Sequence, residues 1–69
     1  MKEEHLFSNE MIERKQEIIG RLKALRDTMA IVKYRIEEAF IRGYIYGATM
    51  DIQDFPSYWY NEIVMEVLK

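Results

Sequence analysis

The feature that most constrains this chain is a heptad pattern that runs from Met11 to Met50 without a change of register. Apolar residues with alternating three- and four-residue spacing fall on one side of an α-helix. The first set of positions holds Met11, Ile18, Leu25, Val32, Ala39 and Tyr46, and the second holds Lys15, Leu22, Met29, Ile36, Gly43 and Met50. No proline interrupts the segment, so the sequence predicts one amphipathic helix over residues 9–48.

A helix of that length creates a packing problem, which predicts self-association. It would extend about 60 Å at roughly 1.5 Å per residue, whereas a single globule of this size has a radius of gyration of about 11 Å. Either the helix kinks at Asp27–Thr28 or it pairs with another copy. Because the register passes through Asp27–Thr28 unchanged, we predict a homodimer whose seam consists of Ile18, Leu22, Leu25, Met29, Val32 and Ile36.

The two ends of the chain complete the predicted fold. Residues 1–8 are expected to form a frayed leader. Residues 49–54 supply the turn residues of a corner, and Pro56 suits the first turn of a C-terminal helix over residues 55–68 that folds back on the long helix. The sequence therefore predicts a single small all-α domain over residues 1–69, a helical hairpin that pairs as a dimeric helical bundle.

Two short stretches keep a β alternative open. The sequences GYIYGATMDI and EIVMEV are rich in residues that favour strands. Short apolar runs of this kind do not distinguish a strand from a buried helix by periodicity alone. A small β element near the C-terminus is therefore the competing fold prediction.

A column of arginines flanks the predicted seam at one shared heptad position. Its members are Arg14, Arg21, Arg35 and Arg42. Glu10, Glu17 and Glu38 each stand four residues before one of them, which favours ion pairs along the helix and a structural role. The competing interpretations are binding to an acidic protein surface and binding to nucleic acid. The net charge of −2 opposes the nucleic-acid interpretation, although the middle of the chain is basic.

Aromatic residues crowd the segment RGYIYGATMDIQDFPSYWY. Trp, Tyr and Arg contribute much of the binding energy at protein interfaces. We therefore predict a partner-binding cluster of Arg42, Tyr44, Tyr46, Tyr58, Trp59 and Tyr60. Core packing of these rings is the competing interpretation, and both can hold because one face of a short corner cannot accommodate them all.

The sequence offers little for catalysis or for metal binding. It has no cysteine, which excludes disulfides and thiolate zinc sites. Its single histidine, His5, lies in the predicted leader. Asp51 and Asp54 are spaced as a carboxylate pair, but acids in a turn before a helix are more often caps. We predict no catalytic residue, no cofactor and no metal site.

The same patterns favour a small non-enzymatic interaction protein. The hypothesis is a bacterial or phage regulator that binds and inhibits or adapts a larger protein, with a second copy of the chain as a further partner. One alternative is a nucleic-acid-binding helical dimer that uses the arginine column, and another is a structural subunit of a larger assembly. No apolar run is long enough to span a membrane and no targeting signal is evident, so a cytoplasmic protein is expected.

Overall fold

Three helices form the fold in the computed structural model, which describes residues 7–31, 33 and 35–69. The helices are α1 (Asn9–Ile31), α2 (Glu38–Ala48) and α3 (Ser57–Leu68). The described residues contain no strand, which confirms the all-α prediction. The β alternative is wrong, because both stretches that suggested it lie in α2, in the turn that follows it, or in α3.

The predicted single helix over residues 9–48 is wrong, because the chain divides it into α1 and α2. The division follows Ile31, whereas the predicted kink at Asp27–Thr28 lies inside α1. Lys33 adopts a left-handed backbone conformation with a φ of 67°. Its N–H donates to the carbonyl of Ala30 at 3.1 Å. A left-handed residue just beyond the last turn is a common way for a helix to end.

The physical reason for the division is a change in the side of the helix that is apolar. Ile18 and Leu22 are buried in α1, and Ile41 and Ile45 are buried in α2. Ile41 follows Ile18 by the same interval that separates Ile45 from Leu22. At about 100° per residue, a continuous helix would place the second member of each pair roughly 140° around from the first. The turn lets α2 rotate, so that both apolar sides face one core.

The heptad positions of α2 consequently lie on its solvent side. Ala39, Gly43 and Tyr46 continue the heptad pattern of α1 and are exposed. Ile41 and Ile45, which fall outside the heptad positions, are almost completely buried. The pattern therefore identifies the core-facing side of α1 but not that of α2.

Most of the predicted dimer seam lies inside this single chain. Its buried or half-buried members, all packed in the same core, are Ile18, Leu22, Leu25, Met29 and Ile36. Val32 lies outside the described residues. The argument from helix length no longer applies, because no helix in the described part of the chain reaches the predicted length. Pairing along this seam stays a prediction, but it can no longer be argued from a helix too long for one chain to cover.

Ion pairs define how the three helices are arranged. Lys15 binds Glu62 at 2.7 Å and Lys23 binds Glu66 at 2.9 Å, so α3 runs parallel to α1. Arg14, near the start of α1, contacts the last turn of α2, so α2 runs antiparallel to both. The buried side chains between the helices are Ile18, Leu22, Ile36, Ile41, Ile45, Trp59, Ile63, Val64 and Val67. The predicted two-helix hairpin is thus replaced by three helices around one core.

The segment between α2 and α3 is longer than predicted. The predicted corner covered residues 49–54 and the predicted C-terminal helix covered residues 55–68, whereas α3 begins at Ser57. Pro56 occupies the N-cap position, where its carbonyl accepts from the N–H of Trp59 at 3.1 Å. No side chain caps this helix. Residues 49–56 are called the corner below.

The start of α1 is fixed by residues from the predicted leader. Ser8 Oγ accepts a hydrogen bond from the N–H of Met11 at 3.2 Å, as an N-cap serine does. The ring of Phe7 lies 4.8 Å from that of Trp59. The rest of the predicted leader, residues 1–6, lies outside the described residues. Phe7 and Ser8 therefore belong to the fold.

Candidate protein-docking surface

The corner begins with a threonine that closes the last turn of α2. Thr49 Oγ1 donates to the carbonyl of Ile45 at 2.8 Å, and the Thr49 N–H donates to the carbonyl of Tyr46 at 3.4 Å. The N–H of Ile52 then donates to the carbonyl of Thr49 at 2.9 Å. Thr49 is 4% exposed, so its hydroxyl satisfies a helix carbonyl in a place that water does not reach. The chain leaves α2 in a fixed direction.

Arg14 ties the corner to α1. Its Nη1 donates to the carbonyl of Ala48 at 2.8 Å and to Oδ1 of Asp51 at 2.9 Å, while Nη2 donates to Oδ2 of Asp51 at 3.1 Å. The hydrogen bond from Arg14 lowers the pKa of Asp51, and the same bond raises the pKa of Arg14. Two parallel bonds between a guanidinium and a carboxylate also restrict orientation. Arg14 therefore holds the C-terminal end of α2 and the corner against α1.

A cluster of aromatic rings packs between the corner and the core. The ring of Phe55 lies 5.2 Å from that of Trp59 and 6.0 Å from that of Tyr60, edge to face in both pairs. The ammonium group of Lys15 lies 4.7 Å from the Trp59 ring centroid, a cation–π contact. Trp59 is fully buried. It therefore forms part of the core, as the competing interpretation of the ring cluster expected.

A groove opens on the solvent side of this cluster and is called the corner groove. Its volume is about 260 Å³, and it is lined by Tyr46, Thr49, Met50, Ile52, Gln53, Phe55 and Tyr60. Tyr46 is 66% exposed and Met50 is 73% exposed, and the two side chains lie together at the groove. None of the lining residues carries a charge. The groove can accommodate one or two side chains of a partner.

The structure brings only two of the predicted partner-binding residues to this groove. Tyr46 and Tyr60 line it. Tyr44 is half-buried and packs against the core. Tyr58 is 41% exposed, but it is not among the described residues that line the groove. The six-residue cluster is therefore divided between the core, the groove and the remaining surface.

Arg42, the charged member of that predicted cluster, forms hydrogen bonds within the chain. Its Nε donates to Glu38 at 2.8 Å along α2, and its Nη2 donates to Asn61 on α3 at 2.6 Å. The bond to Asn61 joins α2 to α3. Arg42 is consequently occupied by contacts within the chain.

Five residues that line the groove are absent from the predicted cluster, and the three apolar ones among them were each assigned another role. Met50 was counted as a heptad position, Phe55 as the first residue of a helix, and Ile52 as part of a turn. The available signal was the density of apolar residues in a segment that also carries turn residues. Apolar side chains in an exposed turn seldom all reach the core.

The remaining arginines of the column are dispersed. Arg21 pairs with Glu17 at 3.0 Å, and Arg42 pairs with Glu38, both in the predicted four-residue spacing. Arg14 uses Asp51 across the fold. Arg35 lies outside the helices, and within the described part of the chain it has no ion pair. The column is therefore not a continuous basic stripe.

The acidic residues of α3 also neutralise cations of α1. Glu62 binds Lys15 and Glu66 binds Lys23, and the hydrogen bond from Lys23 lowers the pKa of Glu66. Arg26 donates to the carbonyl of Val67 at 2.7 Å, near the end of α3. The lysines rather than the arginines of the basic middle thus receive most of the acidic partners on α3.

Other kinds of site find little support in the described residues. His5 lies outside them, and Asp51 is engaged by Arg14. Over residues 7–31, 33 and 35–69, no group of three or more potential ligands is placed to hold a metal ion. None of the helices found there combines the length and the apolar character needed to cross a membrane.

Comparisons of this chain with models of protein families, with curated proteins and with solved structures give no match.

Proposed function

We propose that this chain is a small non-enzymatic interaction protein that binds a larger protein through the corner groove. The observation that carries the proposal is the pair Tyr46 and Met50, two large side chains exposed at the edge of an uncharged concave surface. Binding of a partner would then inhibit or adapt that partner, as a regulator of bacterial or phage origin does. A cytoplasmic location is part of the same proposal.

Two physical features support this use of the groove. Its residue types, tyrosine, phenylalanine and methionine, are those that contribute most at protein interfaces or adapt to varied partners. The groove is supported by the buried Trp59 and by the Arg14–Asp51 ion pair, so its walls are held before binding. A surface that is already ordered loses less conformational entropy when it binds.

The nucleic-acid alternative is less well supported. Arg14, Arg21 and Arg42 are engaged with carboxylates of the same chain, which leaves fewer cations for phosphates. The corner itself carries Asp51 and Asp54, which oppose a phosphate backbone. A role as a structural subunit of a larger assembly would use the same groove and stays a second alternative.

The proposal is tested by photo-crosslinking from the groove. A photoreactive benzoylphenylalanine replaces Gln53 at the groove, and in a matched control it replaces Gln16, an exposed residue of α1. In a host lysate treated with nuclease, we expect a discrete protein adduct from position 53 and none from position 16. The substitution Met50→Glu should abolish the adduct, because it places a charge at an apolar contact.

The controls separate a partner from non-specific adhesion and from self-association. Gly43→Glu, which lies on α2 but does not line the groove, should leave the adduct intact. An adduct that forms only in lysate without nuclease treatment would favour the nucleic-acid alternative over binding to a protein. An adduct that is equally strong from positions 53 and 16 would contradict the proposed site.

A further inference from the structure

α2 has a second apolar side that the fold does not use, called the outer face. It consists of Ala39, Phe40, Gly43, Tyr46 and Gly47, all exposed, and the exposed Met50 of the corner extends it. Three of these residues, Ala39, Gly43 and Tyr46, continue the heptad pattern of α1 into α2, where the rotated helix directs the pattern to solvent. None is charged, and the two charged residues of α2 bind each other at 2.8 Å. A helix with apolar residues on both sides is usually covered on both sides.

The two glycines of the outer face have no explanation within the single chain. A Cβ atom added at Gly43 or at Gly47 would meet nothing within 4 Å. Internal packing would therefore accept alanine, which favours a helix far more than glycine does. Gly20 is equally open, but its neighbours on α1 include Glu17 and Lys23 rather than an apolar stripe. Glycines between large apolar side chains instead allow another helix to approach the backbone closely.

We infer that the outer face is covered by α2 of a second copy of this chain, packed antiparallel. The uncharged face lets two copies meet without like-charge repulsion, although 32% of the residues are charged. A parallel pair would bring the acidic corners together, with Asp51 and Asp54 of both copies at one end. The antiparallel pair keeps them apart. It also places Gly43 opposite Gly47 of the other copy.

The size of the outer face sets the strength of this pair. Phe40 is 48% exposed, Tyr46 66% and Met50 73%. With about 200 Å² for a large side chain, these three residues and the small ones between them offer about 450 Å² per copy. The total of about 900 Å² lies at the weak end of specific protein interfaces. The pair should therefore be reversible and dependent on concentration.

Tyr46 and Met50 belong to both the outer face and the corner groove. A second copy and an outside protein would consequently compete for them. This consequence rests on the proposed function, but the pairing itself does not, because it follows from the outer face alone.

Sedimentation velocity over a range from low micromolar to millimolar tests the pairing. We expect the wild-type mass to rise from one chain to two chains across the range. Gly43→Glu should weaken the association about tenfold or more, because it buries unpaired charges between the copies. Gly20→Glu is the matched control, since it makes the same change at an exposed glycine of α1 and should leave the association unchanged. Both variants remove a helical glycine, so neither should unfold the chain.

Disulfide trapping tests the orientation, because the natural chain has no cysteine. Gly43→Cys mixed with Gly47→Cys should form a mixed disulfide faster than either variant forms one with itself. Faster bonding between two Gly43→Cys chains would overturn the antiparallel arrangement. A wild-type mass of one chain at every concentration would overturn the pairing, as would a Gly43→Glu variant that associates like the wild type. None of these outcomes depends on whether an outside protein binds the corner groove.

Discussion

The two sides of α2 are both free of charge, but one is buried in the core and the other is exposed. Ile41 and Ile45 lie on the inner face and are completely buried against α1 and α3. One residue further along, Tyr46 is 66% exposed on the outer face. Both sides are uncharged, but the inner side carries isoleucine, whereas the outer side carries mostly glycine, alanine and aromatic residues, so α2 is amphipathic. The inner face contributes to folding, and the outer face remains available for contacts with other molecules.

The contrast also separates residue types. The inner face consists of branched aliphatic side chains that fill a core, whereas the outer face combines glycine with aromatic side chains and methionine. Branched aliphatic residues pack with few rotamers, and methionine and tyrosine suit surfaces that make changeable contacts. The difference in residue type therefore indicates the two roles.

The largest expected effect comes from shortening a side chain on the inner face. Ile45→Ala should lower the free energy of unfolding by about 2–5 kcal/mol, because it leaves a cavity in the core. Tyr46→Ala, at the neighbouring exposed position, should change it by no more than about 0.5 kcal/mol. Urea unfolding followed by circular dichroism measures both, at a concentration where single chains predominate. Equal losses for the two variants would erase the distinction between the two faces.

A smaller effect, of opposite sign, is expected at the glycines. Gly43→Ala and Gly20→Ala should each raise the free energy of unfolding by about 0.5–1 kcal/mol in dilute solution, because alanine favours a helix and both positions have space for a Cβ atom. At high concentration the gain from Gly43→Ala should shrink, since the added methyl group separates the paired helices. The gain from Gly20→Ala should not change. Identical behaviour at both concentrations would indicate that the outer face remains uncovered.

The smallest effect concerns the ion pair that fixes the end of α2. Because Arg14 lowers the pKa of Asp51 in the folded chain, the pair stabilises the fold above the ordinary carboxyl pKa of 3.8. That contribution is lost as the pH falls through the lowered value. Asp51→Asn should therefore be less stable than wild type near neutral pH, and the difference should narrow in acid. The effect is small because the Asp51 side chain is 67% exposed.

Unfolding experiments from neutral pH to pH 2 measure this dependence. Asp54→Asn is the matched control, because Asp54 is an exposed acid of the same corner that forms no ion pair with the described residues. A stability difference between Asp51→Asn and wild type that is independent of pH would show that the Arg14 ion pair does not fix the end of α2.

The candidate site was predictable only in part. Tyr46 and Tyr60, which line the candidate groove, were predicted from the density of rings, and their role in binding stays a prediction. Trp59 was assigned to the same cluster but lies in the core, because the largest ring of a small chain buries the most apolar area. Met50 was identified as apolar but was placed on the wrong surface. Sequence periodicity could not assign it, since the rotation of α2 relative to α1 depends on the turn between them.

The sequence by itself determined the helical class, the core-facing side of α1 and the pairing of nearby charges such as Glu17 with Arg21. These properties depend on residues within a few turns of one another, and helix geometry fixes their distances. Only the tertiary structure decided that the long helix is divided after Ile31 and which side of α2 is buried. Both outcomes depend on which apolar faces can be buried together in three dimensions, a competition between distant segments that local spacing does not record.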